Sequence, residues 1–116
     1  MGLYATIYVV NVRIRPDERN PFIQKDIWSV IASNYENSEF IGDPGFKRDL
    51  YESIEWHEIQ AFQDNRELER ITISRPVDLS KAVEWVKTNL HENAREKYIT
   101  LFAILGYNQN MGICFS

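Results

Sequence analysis

Residues 67–94 read Glu67-Leu-Glu-Arg-Ile-Thr-Ile-Ser-Arg-Pro-Val-Asp-Leu-Ser-Lys-Ala-Val-Glu-Trp-Val-Lys-Thr-Asn-Leu-His-Glu-Asn-Ala94. In the first part, Ile71 and Ile73 alternate with polar residues, which is the period-two pattern of a β-strand. Pro76 ends that strand, because proline has no N–H to donate to a neighbouring strand. The side-chain oxygen of Asp78 or Ser80 can then cap the N-terminus of a helix. The segment therefore predicts a strand followed directly by a capped helix.

The second part of this segment has the spacing of an amphipathic helix. Its apolar residues recur at steps of three and four and fall on one stripe: Leu79, Ala82, Val83, Val86, Leu90 and Ala94. We expect this helix to run as far as Ala94 and to lie on one face of a sheet. Trp85 points away from the stripe, so it either covers the sheet edge or is available to a partner.

Length and composition bound the class of protein. With 116 residues, 44% hydrophobic and 26% charged, the chain predicts a single domain spanning residues 1–116 with one hydrophobic core. This composition excludes disordered and fibrous proteins. The sequence has neither a run of 18 apolar residues nor a secretory leader, and its single cysteine, Cys114, cannot form an internal disulfide. We therefore expect a cytoplasmic protein that does not enter a membrane.

The N-terminal third predicts a strand and a helix. Residues 3–15 alternate and are apolar on both faces in their first half, which is typical of an interior strand. Asn20 and Pro21 then form a favoured helix cap and first helical residue. The stripe expected for this first helix, which should end near residues 33–35, consists of Ile23, Ile27, Val30 and Ile31.

The middle of the chain predicts a β-hairpin. Residues 54–63 are ambiguous between strand and helix, and Asp64-Asn65 decides for a strand because these two residues suit a two-residue hairpin turn. In that hairpin Trp56 faces Ile73, and the apolar residues of both strands gather on one side. Before the hairpin, the Gly-rich turn at residues 42–45 precedes a short helix around Leu50.

The C-terminal third predicts two further strands. Residues 98–105 form a continuous apolar run, typical of a strand buried on both faces, and residues 111–116 a short final strand that pairs antiparallel with it. The order is then β-α-β-β-α-β with an additional C-terminal strand. This order predicts an α+β fold of the ferredoxin-like kind, an antiparallel sheet with helices on one face.

No motif predicts catalysis, a cofactor or a metal site. His57-Glu58 begins like the zinc-protease pattern His-Glu-x-x-His, but the second histidine is missing and the only other one is His91. The glutamates of residues 52–69 could in principle form a catalytic carboxylate pair. They lie among polar neighbours, with nothing to desolvate one of them and raise its pKa, so we interpret them as a solvated surface.

Charge is distributed unevenly along the chain. Residues 36–69 contain ten acidic and three basic residues, a local net charge of −7, whereas the rest contains seven acidic and ten basic residues, net +3. An acidic face of this kind speeds the capture of a basic partner and repels nucleic acid. A face that serves solubility alone is the simpler alternative.

Together these patterns favour a small non-catalytic protein inhibitor. We expect it to bind and occlude a basic enzyme that handles nucleic acid, as a toxin immunity protein or a phage anti-CRISPR protein would, and not to bind nucleic acid itself. The partner would be a nuclease, a toxin or a CRISPR effector. The residues expected to bind it are Glu52, Glu55, Glu58, Asp64, Glu67, Glu69, Trp56 and Trp85.

Two other functions remain open at this stage. The first is a small-ligand sensor or enzyme that uses the Gly-flanked, amide-rich loop of residues 106–112 together with His57. The second is a structural subunit that forms a homodimer by edge pairing of its final strand, residues 111–116.

Overall fold

The computed structural model describes residues 3–12, 30–64 and 66–116, with the backbone alone at Val12 and at residues 66–68. Within this part of the chain there are five strands and four helices. In chain order they are β1 Ala5–Val12, β2 Val30–Asn34, α1 Ser38–Ile41, α2 Arg48–Ser53, β3 Trp56–Gln63, β4 Arg66–Pro76, α3 Leu79–Asn89, α4 Glu92–Tyr107 and β5 Met111–Phe115.

The five strands close into a barrel. Their order is β1-β2-β3-β4-β5, and β5 pairs back onto β1. Strands β2 and β3 are parallel, and the other neighbours are antiparallel. The predicted open ferredoxin-like sheet with helices on one face is therefore wrong. The error comes from two segments whose secondary structure differs from the prediction.

The first of these segments is β2. Val30 and Ile31 were expected in the last turns of the first helix, but they begin a strand that pairs with β1, with Ala32 opposite Val10. Burial in β2 alternates, with Val30 and Ala32 buried and Ile31 half-buried. Four apolar or small residues are too few to separate a period of two from one of 3.6. The remainder of the predicted helix, residues 20–29, lies outside the described residues.

The second segment is α4, which replaces the predicted buried strand of residues 98–105. Its fully buried residues are Tyr98, Leu101, Phe102 and Leu105, at the spacing of a helix face. Ile99 and Ile104 lie beside this stripe and also pack against the core. The helix is thus apolar around most of its circumference, which gives it the continuous apolar run of a buried strand.

Helix α3 begins where the sequence predicts and ends earlier. The Asp78 carboxylate accepts a hydrogen bond from the Lys81 backbone N–H at 3.2 Å, which confirms the N-terminal cap. The helix was expected to reach Ala94, but Leu90 and His91 adopt extended backbone conformations and separate α3 from α4. This two-residue connection lets α4 turn back and pack against α3.

The described residues form two hydrophobic clusters, one inside the barrel and one between the barrel and the helices. The interior of the barrel contains Tyr8, Val10, Val30, Ala32, Ala61, Ile73 and Cys114. The second cluster joins the outer side of β1 and β5 to α2, α3 and α4, with Ile7 and Ile113 contributed by the strands. Strand β1 contributes alternate residues to both clusters, which confirms the prediction of a strand buried on two faces.

The β3–β4 hairpin is confirmed, but its predicted register is wrong. Gln63 pairs with Arg66 as a two-residue turn requires, whereas the next pair is Phe62 with Arg70. Residues 67–69 therefore lie in a bulge, and the register shifts by three. An odd shift exchanges the two faces of a strand, so Ile59, and not Trp56, lies opposite Ile73 in the barrel interior.

Closure of the barrel rests on a short contact between β4 and β5. Ser74 pairs with Ile113, and beside this pair the Arg75 guanidinium donates hydrogen bonds to three backbone carbonyls. Its acceptors are the oxygens of Leu105 at 2.6 Å, Asn108 at 2.9 Å and Met111 at 2.9 Å. These carbonyls end α4 and begin β5, where a cation is favourable. Burial lowers the pKa of Arg75, which nonetheless stays charged.

Replacing Arg75 by methionine should loosen this closure. We expect R75M to lower the free energy of unfolding by about 2 kcal/mol, because three carbonyls lose a charged donor. The thiol of Cys114, buried in the barrel, should then react with a thiol reagent up to about thirtyfold faster. R70M on the same strand is the control, since the Arg70 guanidinium lies over the Phe62 ring at 5.2 Å. Equal labelling rates in both variants would contradict this role of Arg75.

Tyr98 predicts a loss of stability at alkaline pH. Its hydroxyl donates to the Gly45 carbonyl at 2.8 Å, and burial raises its pKa above the ordinary value of about 10. This contribution to stability is complete below pH about 10, where tyrosine titrates in the unfolded chain, and declines at higher pH.

We therefore expect Y98F to be less stable than the parent by about 1 kcal/mol at neutral pH, and the difference to shrink above pH about 10. Urea denaturation at both pH values measures it. Y107F, which changes a 90% exposed tyrosine, should show neither effect. A difference between Y98F and the parent that does not change with pH would refute this assignment.

Candidate functional site

A groove of about 580 Å³ lies between the α2–β3 connection and the outer face of α3. We call it the acidic groove, because its lining includes the carboxylates of Glu55, Asp78 and Glu84 against the single ammonium of Lys81. Ile54, Val77 and Trp85 supply its apolar surface. The groove thus combines a negative rim with an aromatic wall.

A backbone hydrogen bond and the residue spacing of α3 determine the geometry of this groove. The Val77 backbone N–H donates to the Glu55 carbonyl at 3.0 Å, which ties the α2–β3 connection to the start of α3. On α3, Lys81, Glu84 and Trp85 follow Asp78 at steps of three and four, so they share one helix face. The geometry of the groove is therefore set by backbone hydrogen bonding and helical spacing.

Trp85 is half-buried and has two environments. It packs against the hydrophobic cluster between the barrel and the helices, and it also lines the acidic groove. It also lines a second groove of about 270 Å³, together with Lys47, Arg48 and Asn89. The Asn89 side-chain amide donates to the Trp85 carbonyl at 3.0 Å, within the last turn of α3. A rigid aromatic side chain thus forms a wall common to two grooves.

Trp56 is held in an aromatic cluster. Its indole N–H donates to the Tyr51 carbonyl at 2.9 Å, and its ring stacks on the Tyr51 ring with centroids 5.3 Å apart. The Phe115 ring meets it edge-on at 5.6 Å. The Trp56 ring is therefore packed between residues of α2 and β5.

The Tyr51 hydroxyl donates a hydrogen bond to the Glu58 carboxylate beside this cluster. The hydrogen bond raises the pKa of Tyr51, and burial and the charge of Glu58 raise it further. Glu58 thus holds α2 against β3 in addition to contributing to the acidic surface.

The structure divides the predicted partner-binding residues into separate groups. It brings Glu55 and Trp85 together in the acidic groove, with Glu52 exposed on α2 nearby in sequence. Asp64 and Glu69 are exposed at the opposite end of the hairpin, about 30 Å of extended chain from Glu55. Glu67 lies in the same bulged part of β4, and its side chain is outside the described residues.

Asp78, Lys81 and Glu84 also line the groove and were not among the predicted partner-binding residues. The sequence places these three residues at steps of three on the polar side of the predicted helix, and this spacing could have identified them as one charged face. Only the tether between Val77 and Glu55 shows that this helix face meets the acidic connection before β3.

The loop proposed for a small ligand is shorter than expected. Gly106 belongs to α4 and Gly112 to β5, so only Asn108 to Asn110 connect the two elements. The Asn108 amide donates to the Ile104 carbonyl at 3.0 Å, and its own carbonyl accepts from Arg75. The side chain and the carbonyl of Asn108 are therefore used in hydrogen bonds that hold the α4–β5 connection in place.

Among the described residues, no cluster of three histidine, cysteine, aspartate or glutamate side chains could hold a metal ion. In the same part of the chain, every buried side-chain nitrogen or oxygen has a hydrogen-bond partner. Strand β5 pairs with β1 along its length and with β4 through Ser74 and Ile113.

None of the described helices is both long and apolar enough to cross a membrane. Comparison of the chain with family models, with curated proteins and with solved structures finds no match.

Removing the charge of Glu58 should change the ionisation of one tyrosine. We expect E58Q to lower the pKa of Tyr51 toward its ordinary value of about 10, because glutamine keeps an acceptor but loses the negative charge. NMR titration of ring-labelled tyrosines measures the pKa. E52Q on α2 is the matched control and should leave all six tyrosines unchanged. An unaltered Tyr51 titration in E58Q would disprove the contact.

Proposed function

We propose that this protein is a non-catalytic inhibitor that captures a basic segment of a partner protein. The observation that supports the proposal is the acidic groove, which is lined by three carboxylates and by a tryptophan that packs against the hydrophobic core. The partner class is a nucleic-acid-handling enzyme, such as a nuclease, a toxin or a CRISPR effector. The protein acts by occluding the partner without turnover.

The chemistry of the groove favours an arginine or lysine side chain. The face of a tryptophan attracts a cation, and a neighbouring carboxylate forms a charge-assisted hydrogen bond with it. The lining contains three carboxylates and the ammonium of Lys81, so the net charge of the groove is negative. The phosphates of nucleic acid are repelled by the same charges.

Occlusion follows from the way such enzymes bind their substrates. A nucleic-acid cleft is lined by lysine and arginine side chains that neutralise phosphates. A protein surface that occupies those side chains competes directly with the substrate. The remaining exposed acidic residues, including Glu52 and Asp64, act at longer range by accelerating encounter. A cytoplasmic location for both proteins is part of the proposal.

The proposal is tested by affinity capture from a lysate of the native host, washed at about 0.05 M and at about 0.3 M salt. We expect the parent protein to retain a basic protein in stoichiometric amount, with less retained at the higher salt. The double variant E55K/E84K should retain at least tenfold less, because both substitutions place a cation in the groove. Mass spectrometry identifies and quantifies what is retained.

The matched control is D64K/E69K, which changes the net charge equally but lies at the other end of the hairpin. It should keep most of the capture, and thermal melting checks that both variants fold. Loss of capture in the control together with retention in E55K/E84K would move the site to the hairpin. Retention of no basic protein by the parent would refute the proposed function.

A further inference from the structure

The two grooves that share Trp85 carry opposite charge. The acidic groove has three carboxylates and one ammonium, whereas the smaller groove has Lys47 and Arg48 against Asp49. We call the smaller one the basic groove. Asn89 also lines both, so the boundary between them is the last turns of α3.

Helix α2 sets the distance between the two charge groups. Lys47 directly precedes the helix and Arg48 begins it, while Glu55 follows two residues after its end at Ser53. A helix of six residues is about 9 Å long. This helix, which separates Lys47 and Arg48 from Glu55 in the chain, is thus as long as roughly three residues of extended chain.

We propose that both grooves bind one extended segment of the partner that carries a basic and an acidic residue in a fixed order and spacing. The basic side chain occupies the acidic groove against Trp85, and the acidic side chain lies two to four residues away in the basic groove, about the 9 Å that α2 spans. The inference rests on the proposed function and names the chemistry of the segment that is captured.

Charge complementarity selects this occupant over simpler ones. A uniformly basic segment meets Lys47 and Arg48 as it crosses Trp85, and a uniformly acidic one meets Glu55 and Glu84. Each such juxtaposition of like charges disfavours the wrong sequence. A segment with both signs in the correct order satisfies both grooves.

An array of synthetic peptides tests the inference. The probes are peptides of about twelve residues on an uncharged background, with one arginine and one glutamate in both orders and separated by roughly one to six residues. Peptides with arginine alone, glutamate alone and two arginines complete the set. Binding of the fluorescently labelled full-length protein is measured on the array and by calorimetry for the strongest peptides.

We expect one order and a narrow range of spacings to bind on the order of threefold better than arginine alone. The variant K47E/R48E should lose this advantage and keep the binding of arginine alone, because only the basic groove changes. W85F should keep part of the binding to all peptides and W85A should lose it. Thermal melting confirms that each variant is folded.

Binding that is independent of order and spacing, or strongest for two arginines, would overturn the inference while leaving the proposed function intact. Absence of any arginine-dependent binding would remove both. A mass that doubles with protein concentration and reverts in W85F would assign the grooves to a second copy, which also overturns the inference.

Discussion

The hydrogen bonds of the Arg75 guanidinium to the carbonyls of Leu105, Asn108 and Met111 are the interaction on which the rest of this structure depends. Strands β4 and β5 share the single ladder pair Ser74 and Ile113, which supplies few backbone hydrogen bonds for closing the barrel. A planar cation with several donors can gather carbonyls from a helix end and a strand start at one point. Closure is thus achieved by a side chain where strand pairing is short.

The same end of β4 also positions the acidic groove. Pro76 ends the strand, the Val77 N–H reaches the Glu55 carbonyl, and Asp78 caps α3. Barrel closure and site geometry therefore depend on five consecutive residues, 74–78. A change that opens the β4–β5 contact should also displace residues of the acidic groove, because α3, the helix that bears Trp85, begins directly after the end of β4. The aromatic cluster around Trp56 holds the other wall by fixing α2 against β3.

Sequence patterns predicted the elements whose signals are local. The alternation in β1 and β4, the hairpin turn and the Asp78 cap each depend on neighbouring residues, and each was found. The predictions that were wrong concern segments whose structure depends on contacts with residues far away in the sequence. The apolar runs at β2 and in α4 fit either secondary structure, and packing decides between them: β2 contributes to the barrel interior, and α4 packs against the outside of the barrel. At the site, Glu55 and Trp85 were predicted, but their proximity was not, because it results from α3 folding back beside the α2–β3 connection.

In the proposed complex, the indole of Trp85 and the charged groups of the two grooves that it lines have different roles. Acidic charge alone attracts any basic surface, and its effect is largely on the rate of encounter. Affinity requires desolvated apolar contact, which an indole seated on a packed core supplies at little cost in conformational entropy. In the proposed complex, selectivity also requires a feature that rejects the wrong basic sequence, and Lys47 with Arg48 in the basic groove would have this role. The basic groove would then narrow the range of partners that the acidic surface attracts.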